Sequence, residues 1–420
     1  MTPTPLPTPL RQAAETTASR IAALLVEPPP LDFAADDHGP RSTRWHAQSL
    51  SKGAAGVAIL HGVRAQTGHS GWEPVHAWLR CATTDQLSNG TGAGLWFGTP
   101  AVTHALTTAA PHARPAALDA LDHAVADLVE RRLAAADARL AARVRPPLSE
   151  FDLVRGLTGL GAHLLRRDPH GYLLRRVLAY LVRLTEPVDA DDDAGRAAPG
   201  WWSADLHDRG IPVPGGHANL GMAHGITGPL ALLALAMRED VTVPGQAEAI
   251  GRICTWLDGW RQESPAGPWW PERITAAELR AGTPAASGPG RPSWCYGTPG
   301  VARAQQLAGI ALADPGRQHA AEDALTRCVT DPGQLDRIID PTLCHGWAGL
   351  AATVWYAAAD ARATSLPAAI SRIAGLLIHH AIDTTLAPSG LITGPAGVAL
   401  TLHTLATGTD IRWTTSLLIN

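Results

Sequence analysis

Apolar residues along this chain gather in runs with helical spacing, and few stretches alternate with the period of two that a strand requires. A short Gly-x-x-Gly motif opens one set of these runs. It appears as KGAAGVAIL (Gly53, Gly56), RGLTGLGAHLL (Gly156, Gly159) and HGITGPLALLA (Gly225, Gly228). It returns as YGTPGVARA (Gly297, Gly300), HGWAGLAATV (Gly346, Gly349) and TGPAGVALTL (Gly394, Gly397). A weaker copy, FGTPAVTHAL, keeps Gly98 and has Ala101 at the second position. The seven copies lie 45 to 72 residues apart. Each interval holds a second helical pattern. Leu118, Leu121, Val125, Leu128 and Val129 share one face, as do Leu174, Val177, Leu178 and Leu181. Further patterns fall at 11–26, 73–83, 245–262, 318–330 and 365–383.

The repeats predict an all-α chain of seven helix pairs, fourteen helices in all. Small residues in the first turn let helix ends approach closely and leave backbone N–H groups at the mouth. An α-solenoid, a helical bundle and a closed ring all satisfy this pattern. Loops rich in Pro and Gly (27–44, 186–217, 264–293) separate the units and require no domain boundary. The expectation is one domain over 1–420, with 1–10 disordered and 186–200 a mobile acidic loop.

Composition narrows the function classes. Lys+Arg is 34 against Asp+Glu 38, a net charge of −4, so a nucleic-acid partner is not expected. The N-terminus has no basic segment of a signal peptide, and the apolar run near Ile226–Met237 falls short of the ~20 residues that span a bilayer. Five cysteines without short spacing do not form a disulfide framework. A reducing, cytoplasmic location follows, with thiols available as ligands.

If every motif opens an equivalent helix, the residues just before each first Gly share one rim. They are Lys52, Phe97, Arg155, His224, Tyr296, His345 and Thr393, preceded by Ser51, Trp96, Val154, Ala223, Cys295, Cys344 and Ile392. Cys295, Cys344 and His345 thus fall on adjacent helix starts. Two thiolates and an imidazole suit zinc, and catalytic zinc takes three protein ligands with a fourth position open. Singly, each reads more simply as a core residue. Cys81, Cys254 and Cys328 lie off the motifs and read as core. His224 lies on the same rim, Asp152 four residues before Gly156, and Arg291 four before Cys295. Each has a plain structural reading: a histidine bonded to a helix end, an N-cap, a surface arginine. With a metal they compose an acid/base histidine, its orienting carboxylate and a cation for developing negative charge.

SWCYGTPG, LCHGWAG, NLGMAHGITG and FDLVRGLTG resemble the lanthionine synthetase C-like family, the LanC cyclases of lanthipeptide (RiPP, lantibiotic) biosynthesis. The resemblance runs from Leu50 to about Leu405, and a length of 420 resembles the stand-alone cyclase. It implies an α/α toroid (barrel) of seven inner and seven outer helices. It places the family's zinc ligands on Cys295, Cys344 and His345, its histidine on His224, its aspartate on Asp152 and its arginine on Arg291. Tyr296 also matches a residue linked to activity. Pro292 stands where some relatives carry an acid, and 110–150 reads as helix where some carry a strand-bearing insertion.

The implied reaction is zinc-dependent addition of a peptide Cys thiol to dehydroalanine or dehydrobutyrine, giving a lanthionine or methyllanthionine thioether ring. The implied substrate is a dehydrated lanthipeptide precursor, with a dehydratase as a further partner. Rival readings keep the fold and add glutathione to dehydrated proteins, or make the chain a non-catalytic zinc scaffold. A carbohydrate-active α/α barrel would need paired rim carboxylates and aromatic platforms. Trp201, Trp202, Trp269 and Trp270 are candidate platforms, but no matching acid pair lies on the rim.

Overall fold

The computed structural model describes residues 5–29, 46–112, 115–187, 198–205, 213–382, 390–409 and 411–420. Most of loop 27–44 and of the acidic stretch 186–200 lies outside them. Each repeat supplies the predicted pair. Seven helices follow the glycine motifs: α2 (Ala54–Gln66), α4 (Thr99–Ala109), α7 (Leu157–Arg167), α9 (Thr227–Arg238), α12 (Thr298–Ala311), α15 (Trp347–Asp360) and α17 (Pro395–Thr407). Seven more match the second pattern: α1 (Thr8–Ala23), α3 (Glu73–Ala82), α5 (Pro115–Ala141), α8 (Tyr172–Leu184), α10 (Gln246–Gly259), α13 (Pro315–Thr330) and α16 (Ser365–Ile382). Three short helices, α6 (Leu148–Phe151), α11 (Ala276–Ala281) and α14 (Pro332–Leu335), sit in the connections. Two three-residue strands, β1 (His217–Asn219) and β2 (Arg273–Thr275), pair antiparallel with Ala218 opposite Ile274. Thr8–Leu10, expected in a disordered arm, form the first turn of α1, with a proline at its start.

Burial separates the two sets. In α15 every residue from Trp347 to Ala358 is buried, and in α9 every residue from Thr227 to Ala236. A helix apolar all round belongs inside a protein. The second set is amphipathic: α8 buries Leu174, Val177, Leu178 and Leu181, the face its spacing predicts. α16 is long and apolar enough to cross a membrane by length and composition alone, yet Leu366, Ile370, Ile373, Ala374 and Leu377 are buried within the protein.

The motif glycines have a specific cause. A Cβ on Gly56, Gly300 or Gly397 would stand 2.1, 2.2 or 2.0 Å from the carbonyl oxygen of Leu50, Trp294 or Leu391. Each carbonyl lies six residues upstream. The loop therefore folds back against the first helical turn, where no side chain fits. Gly297 is also held at φ 103°, which L side chains rarely adopt.

The described chain divides into two compact units, Met1–Ala126 with Ile338–Ser416 and Asn420, and Asp127–Arg337 with Leu417–Ile419. The first holds α1–α4 and α15–α17. The second holds α6–α14, and the residues of α5 are shared. Within each, successive motif loops are stitched by backbone hydrogen bonds. In the first unit Leu50 N–H donates to Trp96 O (3.1 Å) and Leu343 N–H to Ile392 O (3.1 Å). In the second, Leu153 N–H donates to Ala223 O (3.2 Å) and Met222 N–H to Cys295 O (2.9 Å). The donor stands three residues before its glycine and the acceptor two before the next. The seventh repeat also bonds the first: Leu391 N–H donates to Leu50 O (2.8 Å) and Ile392 N–H to Ser51 O (3.2 Å). An open solenoid leaves its first and last repeats apart, so this contact excludes one.

Candidate functional site

In the second unit three motif loops converge. α6 ends at Asp152, whose side chain is 2% exposed. Asp152 Oδ1 accepts from the N–H groups of Arg155 (2.6 Å) and Gly156 (2.8 Å), which open α7. Its other oxygen, Oδ2, lies 2.7 Å from His224 Nδ1. Gly156, not Asp152, is the N-cap of α7; the aspartate instead holds the two N–H groups just before the helix and orients the histidine. A carboxylate only accepts, so Nδ1 carries the proton of this bond and Nε2 is the ring's other nitrogen. His224 is partly exposed, its side chain at 24%. α5 brings Arg132 into the field of Asp152 and Glu150. Burial pulls its guanidinium below the ordinary range, and the two carboxylates oppose that shift.

The loop before α9 is bound to the loop before α12. Cys295 O accepts from Met222 N–H, and Asn219 Nδ2 donates to the Tyr296 hydroxyl at 3.0 Å. Asn219 Oδ1 in turn accepts from Gly221 N–H (2.9 Å). A Cβ on Gly221 would stand 2.5 Å from the Tyr296 ring, so the two loops touch directly. Ser293 Oγ donates to Tyr296 O and lies 3.6 Å from Cys295 Sγ. Cys295 is buried, whereas Tyr296 and Arg291 are half-buried. The Arg291 carbonyl packs under Gly297 and fixes where the arginine leaves the loop.

In the first unit Cys344 and His345 immediately precede Gly346, the cap of α15. The N–H groups of Leu343 and Cys344 both donate to Ile392 O. His345 Nε2 lies 3.4 Å from Asp340 Oδ2. Cys344 and His345 are half-buried, in contrast to Cys81, Cys254 and Cys328, which are buried. Burial pushes the Cys254 thiol up to about 12. Those three are core residues, as their positions off the motifs indicate.

Sequence reasoning located the rim histidines, cysteines and Asp152 because each stands at a fixed offset from a glycine motif. It missed Asn219, Ser293, Arg132 and Asp340. Asn219 and Asp340 each lie six residues before their glycine and Ser293 four before its own, but the residue type at those offsets changes from repeat to repeat, Arg132 stands on α5, and only the folded loops pair them with the rim. The candidate tryptophan platforms are core: Trp201 and Trp202 are each 2% exposed, Trp269 and Trp270 each 4%.

These loops and their helix pairs are those of a known class. Residues 44–418 match the lanthionine synthetase C-like protein family, and the chain belongs to it. Nisin biosynthesis protein NisC of Lactococcus lactis subsp. lactis is 24% identical to it over 210 residues, which cover 49% of this chain and 48% of that protein. The match spans about half the length of that curated relative. Among solved structures, nisin cyclase superposes with a TM-score of 0.72 at 18% identity, covering 96% of this chain and 97% of the other. That likeness shows the fold, and the expected α/α toroid of paired helices is borne out.

Proposed function

We propose that this chain is a zinc-dependent peptide cyclase that forms (methyl)lanthionine thioether rings in a dehydrated lanthipeptide precursor. The observation that carries the reading is the His224–Asp152 pair on a loop hydrogen-bonded to the backbone of Cys295. Family membership supports it. The proposed ligands are Cys295, Cys344 and His345, offering two Sγ atoms and one imidazole nitrogen. This donor set fits zinc with a fourth position left for substrate. Zinc, when bound, keeps a thiol deprotonated that at pKa about 8.5 is mostly neutral at pH 7.

In the addition, the substrate sulfur forms a bond to the β-carbon of the dehydro residue. The alkene π pair moves onto the α-carbon and carbonyl as an enolate, and the α-carbon then takes a proton. Nothing is expelled. We assign His224 to take the substrate thiol's proton at Nε2 and return it to the α-carbon, with Nδ1–H anchored on Asp152 so that the ring cannot turn away. Arg291 is assigned to the enolate charge or the peptide, and Tyr296, held by Asn219, to the wall beside Cys295.

We take 1–420 as one LanC-like domain, acting in the cytoplasm beside a dehydratase. The test incubates a dehydrated, cysteine-bearing peptide with wild type, His224→Asn and Cys344→Ala, then counts alkylatable thiols by mass spectrometry. Ring closure leaves the mass unchanged and removes thiols. Wild type should hold one zinc per chain and close rings. His224→Asn should keep the zinc and close rings about 100-fold more slowly or worse. Cys344→Ala should lose both. Rings closed at the wild-type rate by His224→Asn would remove the acid/base role. A gain of glutathione mass on the peptide in place of ring closure would point to the rival transfer activity.

A further inference from the structure

We infer that Asp340 is a positioning residue that fixes which nitrogen of His345 faces the metal; the inference rests on the zinc reading above. Asp340 follows the layout of Asp152, with a longer reach to its histidine: 3.4 Å, against the 2.7 Å hydrogen bond of Asp152 to His224. Asp152 spends Oδ1 on two loop groups and turns Oδ2 to a rim histidine. Asp340 spends Oδ1 on Thr342, accepting from its N–H (2.8 Å) and its hydroxyl, and turns Oδ2 to His345 Nε2 at 3.4 Å.

The Asp340 backbone is fixed as well. Its carbonyl accepts from Trp347 N–H (3.1 Å) in the first turn of α15. A Cβ on Gly346 would stand 2.3 Å from that carbonyl and 2.4 Å from Oδ1, so this glycine lets the aspartate lie against the helix start. The carboxylate therefore cannot swing away without unmaking the loop that carries Cys344 and His345.

A carboxylate only accepts, so it selects the imidazole tautomer with hydrogen on Nε2. Nδ1 then carries the lone pair a metal needs. Histidine ligands are commonly oriented through their other nitrogen in this way. The sequence does not mark Asp340, because its offset of six residues from Gly346 holds a different residue in each repeat, Asn219 before Gly225 and Arg291 before Gly297.

Asp340→Asn tests the assignment with little change in shape. The amide oxygen can keep the Thr342 bonds, while its NH2 now donates toward Nε2 and forces hydrogen onto Nδ1. Zinc affinity is read by competition with a chromophoric chelator, and folding by circular dichroism of the metal-free protein. The expected result is about 10- to 100-fold weaker zinc binding by Asp340→Asn with an unchanged metal-free melt. A second reading does not depend on Asp340→Asn: a long-range 1H–15N spectrum of zinc-loaded wild type, with His345 assigned by its loss in His345→Asn. It should show Nε2 protonated and Nδ1 bound. Zinc affinity of Asp340→Asn within twofold of wild type, or coordination through Nε2, overturns the role of Asp340 and leaves the zinc site standing. Wild type that binds no zinc overturns both.

Discussion

At the scale of single residues, the motif glycines are the clearest case of one atom deciding a structure. Gly300 sits where a Cβ would lie 2.2 Å from Trp294 O and 3.2 Å from Met222 Cβ. Both neighbours belong to the loops that hold Cys295 and His224, and the nearer one is backbone, so the loop itself must move. Gly251, inside α10, has nothing within 4 Å of the same added atom. The two positions should therefore respond to alanine with opposite sign. Gly300→Ala should destabilise by about 1–3 kcal/mol through overpacking and weaken metal retention at the proposed zinc site. Gly251→Ala should stabilise by about 0.5–1 kcal/mol through helix propensity. Urea unfolding of the two variants beside wild type checks this, and equal midpoints would show that the loop yields freely. The glycines were legible because they recur. The atom that demands them was not, since a carbonyl six residues upstream reaches the helix only once the loop has folded back.

Between elements, α1 is joined to α2 and α17 by a polar cluster that no motif announces. Glu15 on α1 accepts from Arg64 of α2 (2.9 Å), from Ser19 (2.9 Å) and from His403 of α17 (2.8 Å). Arg64 is 4% exposed and His403 fully buried, so both sit on helix faces whose sequence reads as plain core. Burial acts to raise the Glu15 pKa. The bonds from His403 and Ser19 and the charge of Arg64 outweigh it and hold the carboxyl at about 2, below its ordinary 4.5. For His403, burial lowers the pKa from 6.5 and outweighs the pull of Glu15 in the other direction. Both groups bind protons less readily folded than unfolded, so both contributions are lost toward acid. The His403 contribution fades as pH falls below 6.5, and that of Glu15 as pH falls from 4.5 through about 2. Glu15→Gln should lower the urea midpoint at pH 7 and flatten its fall below pH 4.5. Parallel pH curves for the variant and wild type would mean that the cluster adds nothing to stability.

At the scale of the whole molecule, seven helix pairs were legible because every Gly motif repeats its own context. The repeats alone left closure of the series open, and only the family resemblance implied it, because the bonds of Leu391 and Ile392 to Leu50 and Ser51 join residues far apart in the chain. The last residues are another long-range feature hidden from pattern reading. Leu417, Leu418 and Ile419 are fully buried. Leu417 O accepts from Trp294 Nε1 (3.0 Å), and Ile419 O accepts from Arg303 Nε (2.9 Å). Arg303, on α12, is fully buried and spends NH1 on Gln306. A chain ending at Ser416 gives up three buried aliphatic side chains, worth about 1.5–3 kcal/mol each. It also strands one donor of a buried guanidinium, at about 1.5–3 kcal/mol. Against a typical total stability of about 5–15 kcal/mol, that loss is large. The truncated chain should melt well below wild type, and its tryptophan emission should shift red as Trp294 meets water. Because Trp294 adjoins Cys295, the proposed zinc site should also release its metal sooner in a chelator chase. Arg303→Met in the untruncated 420-residue chain separates the two contributions. It removes the charge while keeping the aliphatic tail seated, so it should cost less than truncation. If the truncated chain melts with wild type, the buried terminus is not part of what holds the α12 loop in place.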